Sequence, residues 1–173
     1  MCAFELTSST VVDVDYRLGP ENSFPTPMDD CVDVMRWVHK NPQLLKHNGQ
    51  ISLSGISAGG QITTVLSHVA RDEKIPLVAA FAAVPVCDAA VMTDDFQLVA
   101  DNPYASWKEN YECPWLSFHR MSWFYKNFVP KGYNKKDPYL SVIHSTNFEG
   151  LPPTLILTAE VDVLFDEGGL GPM

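Results

Sequence analysis

The run Gly55-Ile56-Ser57-Ala58-Gly59 constrains this chain more than any other feature. It fits Gly-x-Ser-x-Gly, and its flanks supply what that pattern needs. Ile51-Ser52-Leu53-Ser54 reads as a short strand. Ala58 to Arg71 reads as an amphipathic helix, with Ile62, Val65, Leu66 and Val69 at helical spacing. A strand joined to a helix by so tight a turn forces the serine into a strained backbone conformation, often with φ > 0. Glycines two residues to either side let neighbouring backbone pass without a Cβ clash. The hydroxyl then stands at a helix N-terminus, where free amide N–H groups and the dipole favour developing negative charge. Strand, turn and helix together make a nucleophile elbow, with Ser57 as nucleophile.

The rest of the chain reads as alternating strands and helices. Thr10 to Tyr16 is rich in β-branched residues and reads as a strand. After a loop with Gly19-Pro20 and Phe24-Pro25, a helix is expected with Thr26 as N-cap, Pro27 at N1, and Asp29 and Asp30 complementing the dipole. Its buried stripe is Met28, Cys31 or Val32, Met35 and Val38, and it stops near Asn41-Pro42. Leu77 to Val86 reads as a strand buried on both faces. Thr154 to Thr158 reads as another. This order implies an α/β fold with a mostly parallel sheet and flanking helices.

Residues 89–137 interrupt that rhythm with an aromatic-rich insertion. Met121, Phe124, Tyr125 and Phe128 fall at i, i+3, i+4 and i+7, so part of it is helical. Two readings are open for it: a cover over the carboxyl ends of the strands that lines an apolar pocket, or ordinary helix packing. The expected organisation is a single domain: a core over 1–88, a cap-like insertion over 89–137, and a return to the core over 138–173.

The totals narrow the function classes. A chain of 173 residues that is 46% hydrophobic can bury one core. A net charge of −9 and a pI of about 4.8 argue against a nucleic-acid partner or an anionic membrane. Cys2, Cys31, Cys87 and Cys113 are far apart and show no metal or disulfide spacing. Thiols in a reducing, cytoplasmic setting are the expectation. No phosphate loop, metal site or nucleotide fingerprint appears, so no cofactor is implied.

Three blocks carry a family resemblance. Asp15-Tyr16-Arg17-Leu18-Gly19-Pro20-Glu21, followed by Phe24-Pro25, resembles an Asp-Tyr-Arg-Leu-Ala-Pro-Glu…Phe-Pro signature. Gly55 to Gly60 resembles Gly-Asp-Ser-Ala-Gly-Gly. Leu151-Pro152-Pro153-Thr154, then Asp162-Val163-Leu164-Phe165-Asp166-Glu167-Gly168, resembles Leu-Pro-Pro…Asp-Pro-Leu-Arg-Asp-Glu-Gly. In this order the blocks resemble the hormone-sensitive-lipase-like branch of the α/β-hydrolases. The resemblance implies a carboxylic ester hydrolase acting on small apolar esters. It assigns Ser57 as nucleophile, the Ala58 N–H as one oxyanion donor and Asp162 as the acid that orients a catalytic histidine, with a loop carboxylate capping a helix as the alternative reading of Asp162. Asp166 and Glu167 are read as helix-start and packing residues.

The chain departs from the family in two places that matter. The family's His-Gly-Gly-Gly oxyanion loop, which precedes the Tyr-Arg-Leu strand, is absent. The family's histidine lies roughly thirty residues after the acid, but only eleven residues follow Asp162 and none is histidine. The chain therefore resembles a family member truncated at both ends, with a partial α/β-hydrolase fold. The strand that pairs between Thr10–Tyr16 and the nucleophile strand in the family is also missing, so Thr10–Tyr16 is left without a neighbour. His39, His47, His68, His119 and His144 are read as surface or packed histidines rather than substitutes. Little turnover and marginal stability are expected. The alternatives are a non-catalytic relative that binds a small molecule and a non-functional fragment.

Overall fold

The computed structural model describes residues 9–169; Cys2 and the tail after Gly169 lie outside the described residues. Three parallel strands form one sheet in the order β1 (Ile51–Ile56), β2 (Leu77–Ala83), β3 (Thr154–Leu157). The β1–β2 pairing shifts register between Ile51 and Ser52, which skips Val78. The expected strand pattern thus holds for three of the four segments, with β2 ending at Ala83 rather than Val86.

The fourth segment differs. Thr10–Tyr16 forms no ladder. Its β-branched residues favour extended backbone, but a strand exists only when a neighbour takes its N–H and C=O groups. Val14 and Tyr16 pack on the core, whereas Val11 and Val12 are exposed. Arg17 fixes the end of this segment. Its backbone N–H and guanidinium both donate to Asp30, which holds that carboxyl down at about 2 through the side-chain hydrogen bond first.

Helix α1 (Thr26–Lys40) starts one residue earlier than the sequence suggests. The Pro25 carbonyl accepts from Met28 and Asp29 N–H and opens the ladder, so Thr26 is the first helical residue and its side chain makes no cap bond. Met28, Cys31, Val32 and Met35 are buried along one stripe, with Val38 packed beside them. A short turn, α2 (Pro42–Leu45), leads to β1. Helix α3 (Ala58–Asp72) follows β1 and packs on both β1 and β2. Ile62, Val65, Leu66 and Ala70 give it a buried face.

Helix α3 covers only one face of the sheet, and β2 is not buried on both sides as expected. Ser52, Ser54 and Ile56 of β1, Ala79 of β2, and Leu155 and Leu157 of β3 share a face that is largely open, with Ile56 70% exposed. Alternation puts every second side chain on that face. The residue-80 and residue-82 positions on the other face are fully covered.

Residues 89–137 hold the short helix α4 (Ser106–Glu109) and α5 (Phe118–Phe128), the latter capped by the Ser117 hydroxyl accepting from Arg120 N–H. Phe96, Tyr104, Trp107, Phe118, Met121 and Tyr125 are buried in the common core. Phe124 departs from the expected stripe: it lies on the outer side of α5 beside Trp123, and both are exposed. Helix α6 (Phe165–Gly169) ends the described chain. None of the helices among the described residues is long and apolar enough to cross a membrane. Cys31, Cys87 and Cys113 are free thiols.

Candidate active site

Ser57 stands between β1 and α3 with φ 56° and ψ −117°, a left-handed conformation that non-glycine residues rarely adopt. Its N–H donates to the Ala83 carbonyl (2.8 Å), and its own carbonyl accepts from Gln61 (2.9 Å) as the helix begins. The strained residue is thus fixed on both sides by backbone bonds, the condition under which such strain persists. Its hydroxyl has no hydrogen-bond partner among the described residues. Ala58 is exposed and opens α3, so its N–H belongs to the helical turn that lacks carbonyl partners.

The glycines divide their work differently from the sequence expectation. A Cβ on Gly55 would lie 2.1 Å from the Gly59 carbonyl oxygen, so the strand and helix approach through Gly55. A Cβ on Gly59 would meet nothing within 4 Å. Gly60, one residue on, is the second tight point: its Cβ would sit 3.0 Å from the Ala83 oxygen and 3.1 Å from Pro85. The expectation that Gly55 and Gly59 act symmetrically is corrected accordingly. The repeated glycine of Gly59-Gly60 was the available signal.

Asp162 lies past the carboxyl end of β3, and Ser57 at that of β1. Both candidates therefore occupy the same edge of a parallel sheet, two strand spacings or roughly 10 Å apart at the level of the strands. Asp162 is partly buried, and desolvation raises its carboxyl above the ordinary value while the Leu164 N–H at 2.9 Å opposes the rise. That N–H is its carboxylate's hydrogen-bond partner among the described residues.

Neither candidate is joined by a histidine among the described residues. His39 is exposed on the last turn of α1. His47 accepts from Gly49 N–H at Nδ1, which leaves Nε2 to donate to the Val38 carbonyl. His68 is half-buried beside Ser145 and Phe148, and desolvation lowers its pKa. His119 is exposed against Tyr111 and Phe118. His144 pairs with the buried Asp88 at 2.9 Å.

A second polar cluster that the sequence did not reveal forms around Asp88 and Glu167. Asp88 also accepts from the Tyr104 hydroxyl (3.0 Å) and the Ala90 N–H. Next to it, Glu167 is completely buried and accepts from Cys87 N–H (2.8 Å) and the Trp107 indole (3.0 Å). Burial pushes its carboxyl up to about 8 against the pull of those donors. No group of three or more potential metal ligands occurs among the described residues. A cavity of about 360 Å³ opens at the amino ends of the strands, between Arg71, Lys74 and Pro152, on the far side from Ser57.

A left-handed serine at a strand–helix junction, with a carboxylate on the same sheet edge, defines a hydrolase-type α/β architecture. Residues 3–170 match the alpha/beta hydrolase fold family, and the chain belongs to it. It is 35% identical to the carboxylesterase NlhH of Mycobacterium tuberculosis over 164 residues, which is 91% of this chain and 48% of that protein. It is 31% identical to an arylesterase of Saccharolobus solfataricus, covering 92% of this chain and 49% of the relative. The structure of a Pyrobaculum calidifontis esterase superposes with a TM-score of 0.82 at 33% identity, over 96% of this chain and 52% of that one. The chain thus spans about half the length of the relatives it matches.

Proposed function

We propose that the site performs carboxylic ester hydrolysis on small apolar esters. Ser57 attacks the ester carbonyl, the Ala58 N–H binds the developing oxyanion, and Asp162 orients a histidine that takes the serine proton. The observation that carries this reading is Ser57's left-handed backbone at the head of α3, an energetic cost that packing alone does not require. Relatives named carboxylesterase, arylesterase and esterase support the same chemistry.

The 173 residues by themselves are a poor catalyst in this reading. Among the described residues no histidine bonds Ser57 or Asp162. Loss of the base costs on the order of 10⁶ in kcat in a serine hydrolase. The lack of a histidine bonded to Ser57 among the described residues favours a second reading, a non-catalytic relative that binds a small apolar molecule.

Fluorophosphonate labelling followed by peptide mapping distinguishes the two. The first reading predicts modification at Ser57, slow for the 173-residue chain and absent in Ser57→Ala. No label on the folded chain, together with saturable binding of an apolar ester analogue, would favour the second. Ester turnover at ordinary triad rates, abolished by Ser57→Ala, would overturn the inference that a base is lacking.

A further inference from the structure

We propose that Glu167 is a positioning residue for Asp162, locking the loop that carries the acid to the chain after β2 and to helix α4. The proposal rests on the reading of Asp162 as the acid. Asp162 has a thin shell of its own, since its carboxylate takes one N–H, from Leu164. What holds the loop in place comes from elsewhere. Asn110 donates to the Asp162 carbonyl (3.1 Å), and the Ser106 hydroxyl donates to the Val163 carbonyl (2.8 Å). Ser106 N–H donates to the Asp166 carboxylate (2.8 Å), and Asp166 N–H returns a bond to the Ser106 hydroxyl (3.3 Å). All four bonds link the acid loop to α4 and the residue after it.

Glu167 closes the junction. One carboxyl oxygen accepts from the Trp107 indole N–H on α4, and the other from the Cys87 and Asp88 amides after β2. Three chain segments far apart in sequence thus meet on one side chain that is 0% exposed. Glu167 has no ion-pair partner among the described residues, and a buried carboxyl of this kind costs free energy that an apolar side chain of similar size would not. What it supplies is direction: fixed acceptors for three donors that define where α6 starts, and so where Leu164 presents its N–H to Asp162. A greasy contact there would tolerate sliding.

The test uses the isotopically labelled 173-residue chain and two variants, Glu167→Gln and Trp107→Phe. Two readouts report on the acid itself: the carboxyl ¹³C titration of Asp162 and the hydrogen exchange of the Leu164 amide. In Glu167→Gln the Asp162 titration should move toward that of an exposed aspartate. Leu164 exchange should rise about tenfold, the scale of one lost hydrogen bond in a local opening, while α3 amides change little. Trp107→Phe, which removes one of three bonds and keeps the ring, should shift both readouts in the same direction by less, and it carries the test if Glu167→Gln does not fold. An unchanged Asp162 titration in a folded variant would overturn the proposal. So would a loss of protection spread evenly over α3 and the sheet, since that is what a purely structural role produces. Because neither readout needs turnover, absence of fluorophosphonate labelling at Ser57 would remove the ester-hydrolase reading and leave the lock intact.

Discussion

Replacing Gly55 by alanine tests the elbow where strand and helix come closest. The new Cβ would stand 2.1 Å from the Gly59 oxygen, 2.2 Å from its carbonyl carbon and 2.9 Å from its Cα. Real Cβ contacts essentially never fall below 3.0 Å, so β1 and the first turn of α3 must part by about 0.9 Å or more. All three neighbours are backbone atoms, so no rotamer change relieves the clash. Overpacking alone costs about 1–3 kcal/mol. Here the displacement also pulls on the Ser57 N–H bond to Ala83 and the Gln61 bond to Ser57. The expected loss is roughly 3 kcal/mol or more, which for a chain of this size lowers Tm by about 6–12 °C. Gly59→Ala is the control. Its Cβ meets nothing, and alanine in a helix gains up to about 1 kcal/mol over glycine. Urea unfolding of both variants, followed by circular dichroism and tryptophan fluorescence, gives the comparison. If Gly55→Ala stays within about 0.5 kcal/mol of the wild type, or Gly59→Ala is equally damaging, the account of the elbow fails.

Three further outcomes are expected. Glu167 stays protonated in the fold up to about 8 but ionises near its ordinary 4.5 when unfolded, so its stabilisation is full below about 4.5 and is lost as pH rises through about 8. The urea midpoint of the wild type should therefore fall across that window relative to Glu167→Gln, a comparison in which the opposing contribution of half-buried His68 is common to both chains. Tyr104→Phe removes the bond to Asp88 but leaves the His144 and Ala90 bonds, and should cost about 1 kcal/mol in the same assay. Gln61→Leu leaves the Leu140 carbonyl, now bonded at 2.6 Å in the interior, without its donor, and should cost about 1–3 kcal/mol in thermal unfolding.

Local chemistry was legible in the sequence, and long-range chemistry was not. The elbow could be read because strand, glycines and apolar helix periodicity all occur within some twenty residues and agree. Thr10–Tyr16 shows the limit of propensity: its β-branched residues suggest a strand, and only the family resemblance indicated that it has no neighbour to pair with. The start of α1 moved by one residue because the Pro25 carbonyl, not a side chain, opens the ladder. Leu77–Val86 reads as doubly buried from its composition, yet burial depends on which helices pack on which face, and the helix that packs on β2, α3, covers one side only. Glu167 was legible as a helix-start and packing residue, but not as the junction of three segments. Its donors are 60 and 80 positions away, and no spacing rule brings Trp107 and the Cys87 amide to one carboxyl.

The one-sided sheet bears on how this chain responds to temperature. Apolar side chains such as Ile56, Leu155 and Leu157 are already wet in the native state, so melting releases less new hydrocarbon to water than in an ordinary domain of this length. The heat-capacity increment should fall below the usual ~12–15 cal/mol/K per residue. At a given melting temperature and melting enthalpy, a smaller increment curves the stability profile less, so stability keeps rising further on cooling and the cold limb retreats to lower temperature.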